Sequence, residues 1–115
     1  MYYFDNEIEM ALSFTEKEKF AFHFISRIIV DYVNNRTDIE LCSYPSKEAF
    51  IRQDGGKVTF LAFNDTPRFT VDPNLFALRC LMAVESSPFY RQEIKAWHEL
   101  EHLTQLPTMF NKEEK

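Results

Sequence analysis

The chain has 115 residues, of which 45% are hydrophobic and 16% aromatic, and its net charge is −5. A chain of this size and apolar content can form a core without disulfides or metals. The negative charge does not favour general binding to nucleic-acid backbones, which requires clustered Lys and Arg. The two cysteines lie outside any CxxC motif. We therefore expect two free thiols rather than a cysteine-based zinc or redox site.

The N-terminal stretch MYYFDNEIEM has no basic region and no long apolar run. No segment reaches the ~18 apolar residues of a membrane span. We therefore expect a cytoplasmic protein without a membrane partner. Because no repeat or linker divides the chain, we predict one α+β domain over residues 1–110 and a frayed polar tail over residues 111–115.

The first part of the chain contains two different periodicities. Residues 2–14 alternate between apolar and polar side chains, which predicts a half-buried strand. Residues 15–34 carry an apolar stripe at helical spacing, and Thr15 and Glu18 have the spacing of a capping box, so we predict a helix here. His23 falls on the polar side of this predicted helix and is expected at the surface.

Three strands are predicted next, over residues 39–44, 49–52 and 57–63. The Asp-Gly-Gly sequence at 54–56 predicts a hairpin between the last two. Both faces of 57–63 are largely apolar, so we expect this strand to be central in the sheet or covered on both sides. Residues 68–71 predict a short edge strand.

Two signals that contain proline predict the remaining helices. Asp72-Pro73 combines a cap with Pro at the first helical position, and Ser87-Pro88 repeats the pattern for a third helix that ends near Gln105. The predicted fold is therefore α+β, with an antiparallel sheet of three to five strands packed against about three helices. The predicted order is β-α-β-β-β-α-α.

The sequence HELEH at residues 98–102 matches the HExxH motif and resembles the metal-binding helix of zinc peptidases. The resemblance covers five of the 115 residues and implies His98 and His102 as ligands, with Glu99 as the general base. In the predicted third helix, Trp97 belongs to the apolar face and the two histidines to the opposite, solvent face. No histidine follows to act as a third ligand. We expect no cofactor, and zinc at this pair is the one metal that the sequence suggests.

The predicted order of helix, three strands and helix resembles that of double-stranded-RNA-binding domains. Those domains grip phosphate with lysines at the start of the second helix, where this chain has Asp72-Pro73-Asn74-Leu75. We therefore expect no direct contact with nucleic acid.

The first 18 residues hold five acids and one lysine, and acidic surfaces steer basic partners. The candidate partner-binding residues are Asp5, Glu7, Glu9 and Glu16. Because no catalytic set is recognisable, the sequence predicts a non-enzymatic protein-binding module. It would be a small acidic regulator, inhibitor or adaptor, comparable to the phage or mobile-element proteins that antagonise host proteins. The alternatives are a minimal zinc hydrolase that uses residues 98–102 and a homodimer whose acidic and aromatic faces bury each other.

Overall fold

The computed structural model describes residues 2–96, which form a mixed α+β arrangement of antiparallel sheets and two helices. The predicted α+β class is thereby confirmed. The strands are β1 (Tyr2–Tyr3), β2 (Ile8–Ala11), β3 (Lys17–Phe20), β4 (Phe22–Asp31), β5 (Arg36–Tyr44), β6 (Lys57–Phe63) and β7 (Lys95–Ala96). The helices are α1 (Lys47–Arg52) and α2 (Pro73–Ala83). Neither helix is long and apolar enough to cross a membrane.

The main sheet has the strand order β4-β5-β6, and every neighbouring pair is antiparallel. Alternate residues of β5 are buried, which defines an inner face that contains Ile39 and Leu41. Helix α2 packs on this inner face through buried apolar residues, of which Leu81 is fully buried. The strand predicted over residues 57–63 and the helix predicted at Asp72-Pro73 are confirmed, and the strand predicted over 39–44 is confirmed with an earlier start at Arg36. The expectation that strand 57–63 is central or covered on both sides is wrong, because among residues 2–96 β6 is an edge strand and Phe60 on its outer face is exposed.

The opposite, outer face of the sheet is covered at one end by α1. Phe50 of this helix is fully buried and stacks on Phe22 of β4, with 4.7 Å between the ring centroids. Phe24 and Tyr44 surround the same ring at 5.4 and 5.3 Å. The sheet therefore separates two hydrophobic clusters, one under α2 and one under α1.

The prediction of a strand over residues 49–52 is wrong, because these residues belong to α1. Ser46 caps the helix, since its hydroxyl accepts a hydrogen bond from the amide of Ala49 at 3.0 Å. At the other end Gln53 takes a left-handed conformation, with φ 58°, and its amide donates to carbonyls of the helix. Caps at both ends outweigh the strand preference of the short apolar run Ala49-Phe50-Ile51. Residues 54–56 therefore connect a helix to β6 and do not form a hairpin.

The prediction of a helix over residues 15–34 is also wrong, because this segment contains β3 and β4. The register between β4 and β5 shifts between Ile25 and Arg27, which leaves Ser26 as the extra residue of a β-bulge. Successive inward side chains at the bulge, Ile25 and Ile28, are consequently three residues apart. A bulged strand with this spacing imitates the periodicity of a helix.

Two more predicted elements differ from the structure. Residues 68–71 form a turn, in which the amide of Val71 donates to the carbonyl of Arg68 at 2.9 Å. At Ser87-Pro88 the serine hydroxyl accepts from the amide of Phe89 at 3.1 Å, and the chain turns so that this ring is buried. The helix predicted to start at Ser87-Pro88 is therefore absent there, and these residues form a turn that buries Phe89. Residues 97–105 of that helix lie outside the described residues.

The strand predicted over residues 2–14 is divided in the structure into β1 and β2. Between them, Phe4 and His23 exchange two backbone hydrogen bonds of 2.8 and 2.9 Å, which join the N-terminal segment to β4. The ring of Phe4 lies 4.5 Å from that of Phe89, centroid to centroid. The start of the chain is therefore held in the core by residues far away in sequence.

Candidate functional site

The clearest surface feature is a hairpin of residues 8–20, formed by β2, β3 and the turn between them; we call it the hairpin arm. Its two strands are paired from Ile8 opposite Phe20 to Ala11 opposite Lys17. Only the base is packed, since Phe20 is buried and Ile8 contacts the core under α2. Every residue from 11 to 19 is exposed. The arm therefore projects from the body of the protein.

The tip of the hairpin arm is a hydrogen-bonded turn. The hydroxyl of Ser13 accepts from the amides of Thr15 and Glu16 at 3.3 and 3.1 Å, and the amide of Leu12 donates to the carbonyl of Glu16 at 2.8 Å. The amides of Thr15 and Glu16, which the sequence pattern placed at the start of a helix, are thus satisfied by a hairpin turn. The turn presents Phe14 with a relative exposure of 107%. Leu12, beside it, is also exposed.

Three of the four acidic candidates lie on or beside the hairpin arm. Glu7 precedes β2 and forms an ion pair with Lys19 at 3.7 Å, Glu9 is exposed on β2, and Glu16 is exposed in the turn. Asp5 lies outside the arm and pairs with a lysine of β7 at 3.8 Å. The structure thus places Glu16 in the same turn as Phe14, Glu9 on the strand below it and Glu7 at the base of the arm, and it leaves Asp5 outside the arm.

His23, expected at the surface, is fully buried in β4, and that expectation is wrong. Its Nε2 lies 2.9 Å from the carbonyl oxygen of Asn6 and 3.1 Å from that of Phe20. Since carbonyls only accept, Nε2 carries the hydrogen, and Nδ1 accepts from the hydroxyl of Ser43 at 2.7 Å. The neutral ring therefore has a partner at both nitrogens.

A histidine that accepts from a serine hydroxyl has the local geometry of a base and its nucleophile. Here, however, both His23 and Ser43 are fully buried on the inner face of the sheet. A substrate cannot reach the serine oxygen, so the pair serves the structure. It ties the base of the hairpin arm, through Asn6 and Phe20, to the central strand β5. A period of two through residues 22–25 places His23 opposite Phe22 and Phe24, so no local signal in the sequence assigns it to the core.

Burial lowers the pKa of His23, against opposing effects from the carbonyls of Asn6 and Phe20 and the charge of Asp5. The unfolded chain, with a histidine pKa of about 6.5, takes up a proton first as the pH falls. We therefore expect stability to be full above about pH 6.5 and to decrease below it, until the lower folded pKa is passed. Urea denaturation at about pH 7.5 and about pH 5.5 checks this. His23→Gln should lose less stability over the same interval, and an equal loss would contradict the expectation.

One open cavity, of 340 Å³, lies between α2 and the sheet. Its lining consists of Tyr2, Ile25, Asp72, Asn74, Leu75 and Leu78. The one ionisable carboxylate among them, Asp72, already accepts from the amide of Asn74 at 3.0 Å as the cap of α2. The lining that residues 2–96 provide is mainly apolar, and within it no two groups are paired for acid–base chemistry.

Within residues 2–96, no three His, Cys, Asp or Glu side chains are grouped so that they could hold a metal ion. Cys42 and Cys80 are half-buried free thiols, as predicted, and burial raises the pKa of Cys80. The candidate ligands His98 and His102, with Glu99, lie outside the described residues, as does Trp97. The zinc site therefore stays a prediction.

Comparison with known proteins finds no family model, no curated protein and no solved structure that matches this chain. The hairpin arm is the feature that folding explains least, because the aromatic ring at its tip is fully exposed.

Proposed function

We propose that this chain is a non-enzymatic protein-binding module that docks through the hairpin arm. The observation that carries the proposal is Phe14, which is fully exposed on a hydrogen-bonded turn. Burying a phenylalanine side chain is worth roughly 1.5–3 kcal/mol, and in the isolated chain Phe14 contributes none of this. Binding to a partner with an apolar pocket for this ring would gain that free energy. Aromatic anchors in pockets are typical binding hot spots.

The charges along the arm indicate the kind of partner that fits. From residue 7 to residue 19 the chain carries four carboxylates and two lysines. Glu7, Glu9 and Glu16 are all exposed. An acidic arm with an apolar anchor at its tip is complementary to an apolar pocket within a basic surface, and such peripheral charges chiefly accelerate association. The proposed partner is therefore a protein with a basic surface around an apolar cavity.

The test is the replacement Phe14→Ala. We expect it to weaken partner binding by a factor of about 30 or more, since truncation of a hot-spot residue costs at least about 2 kcal/mol. The immobilised chain captures proteins from a lysate of its host, and mass spectrometry identifies them. The affinity of the purified partner is then measured by calorimetry for each variant.

The matched control is Val33→Ala. Val33 is another apolar residue on an exposed turn, 93% exposed between β4 and β5, and it lies outside the hairpin arm. We expect this variant to bind like the unaltered chain. Equal weakening by the two replacements, or a captured protein whose affinity is insensitive to Phe14, would contradict docking through the arm.

A further inference from the structure

Strand β6 lies at the edge of the three-stranded sheet, and among residues 2–96 no strand pairs with its outer edge. Natural edge strands usually carry charges, proline or bulges that prevent pairing with another chain. Strand β6 has one charged residue, Lys57, at its first position, and it has no proline and no register shift against β5. On its outer face Val58 and Phe60 are 52% and 58% exposed. This pattern is typical of a central strand.

We propose that β6 of a second copy of this chain pairs with this edge, so that the two sheets become one six-stranded sheet. Pairing is antiparallel around a twofold axis at Phe60, the midpoint of β6. An axis perpendicular to the sheet keeps every side chain on its own face. Phe60 then lies opposite its own copy, Val58 opposite Ala62 and Thr59 opposite Leu61. Each of these positions has an uncharged partner, and the aromatic pair lies at the centre.

The single charge of the strand is also compatible with this register. Lys57 lies opposite Phe63 of the second copy, at the end of the pairing. The lysines of the two copies are six residues out of register and therefore roughly 20 Å apart. Because the strand complements its own apolar pattern and brings no like charges together, a second copy fits this edge.

The first experiment measures the mass of the full chain by light scattering on a sizing column at micromolar concentration. We expect twice the 13.7 kDa of one copy. Phe60→Lys should reduce the mass to that of one copy, because it places two like charges directly opposite each other at the axis. Phe14→Ala should remain dimeric, since the hairpin arm takes no part in the pairing. Failure of this inference is thus distinguishable from failure of the proposed function.

The second experiment tests the register by disulfide cross-linking, in a background of Cys42→Ser and Cys80→Ala. The background is needed because Cys42 lies opposite Val58 in the pairing of β5 with β6. Phe60→Cys would place two Cα atoms about 4.5–5.5 Å apart across the axis, within the range of a disulfide. Val58→Cys, the equally exposed control, would place them roughly 14 Å apart, because the two positions are four residues out of register. Mild oxidation should therefore give a covalent dimer with Phe60→Cys alone.

Three results would overturn the proposal. One is a single-copy mass for the unaltered chain, and another is a dimer that persists in Phe60→Lys. The third is cross-linking of Val58→Cys as rapid as that of Phe60→Cys, which would indicate random collision. If the chain is monomeric alone and Phe60→Lys abolishes capture of a different protein, the edge belongs to that protein and not to a second copy.

Discussion

Replacing His23 with Ala is expected to lower the free energy of unfolding by about 3–4 kcal/mol. The imidazole is fully buried, accepts from Ser43, and donates to the carbonyls of Asn6 and Phe20. Its removal leaves a cavity and deprives a buried hydroxyl and two carbonyls of their hydrogen bonds. Unsatisfied buried polar groups cost more than the net value of the bonds they lose. Urea denaturation followed by circular dichroism measures the change.

Arg27→Ala is the matched control for His23→Ala. Arg27 lies on the same strand but points to the outer face, where it forms an exposed ion pair of 3.2 Å with Glu40. Ion pairs of this kind contribute about 1 kcal/mol or less. A loss at His23 as small as the loss at Arg27 would contradict the buried network. It would also favour the helical interpretation of residues 15–34, which places His23 in water.

Replacing Phe50 with Ala should cost about 3–5 kcal/mol, the usual range for a buried phenylalanine. Phe50 is fully buried and attaches α1 to the outer face of the sheet through the rings of Phe22, Phe24 and Tyr44. Helix α1 has only six residues, too few to be stable without tertiary packing. We therefore expect a lower denaturation midpoint together with the loss of near-ultraviolet circular dichroism from the aromatic cluster.

The matched control for this prediction is Phe14→Ala, which truncates the same residue type at the tip of the hairpin arm. Because Phe14 is fully exposed, the free energy of unfolding should change by less than about 0.5 kcal/mol. If Phe14→Ala destabilises the chain as much as Phe50→Ala, its ring is part of the folded core. The proposal that it anchors a partner would then lose its basis.

The two phenylalanines show why composition alone does not locate a functional surface in this protein. Twelve phenylalanines occur in the chain, and the sequence pattern by itself assigns most aromatic residues to the core. Phe50 is in the core and Phe14 is not, although Phe14 belongs to the alternating run of residues 2–14 that predicts a half-buried strand. The difference comes from the hairpin arm, which carries residues 11–19 away from the sheets.

The acidic residues of the candidate site were predictable, whereas their arrangement was not. Glu7, Glu9 and Glu16 follow from the charge distribution of the first 18 residues. Their position on an arm with an exposed aromatic anchor depends on the turn at Ser13, where the sequence pattern predicted the end of a strand and the start of a helix. The hydroxyl of Ser13 accepts from the amides two and three residues later, and here this stabilises a hairpin turn. The same contacts stabilise the start of a helix in other settings, so the local pattern fits both structures.

Local signals by themselves determined the elements that continue without interruption. Strand 57–63 is an unbroken run of mostly apolar, strand-forming residues, and α2 begins at Asp72-Pro73 because the aspartate caps it and the proline fits its first turn. The α+β class and the free thiols followed from composition and spacing in the same way. For the strand and the helix, the interactions that determine the element join residues that are close together in the chain.

Only the tertiary structure decided the elements whose hydrogen-bond partners are far apart in sequence. The bulge at Ser26 gives β4 the spacing of a helix, and pairing with β5 makes it a strand. His23 is buried because its ring bonds to Ser43, 20 residues away. The position of β6 at the sheet edge depends on which strands pair, since the same apolar sequence pattern fits a central strand or an edge strand. Local periodicity does not specify which strands pair with each other. The exposed edge and the hairpin arm are therefore visible only in the tertiary structure.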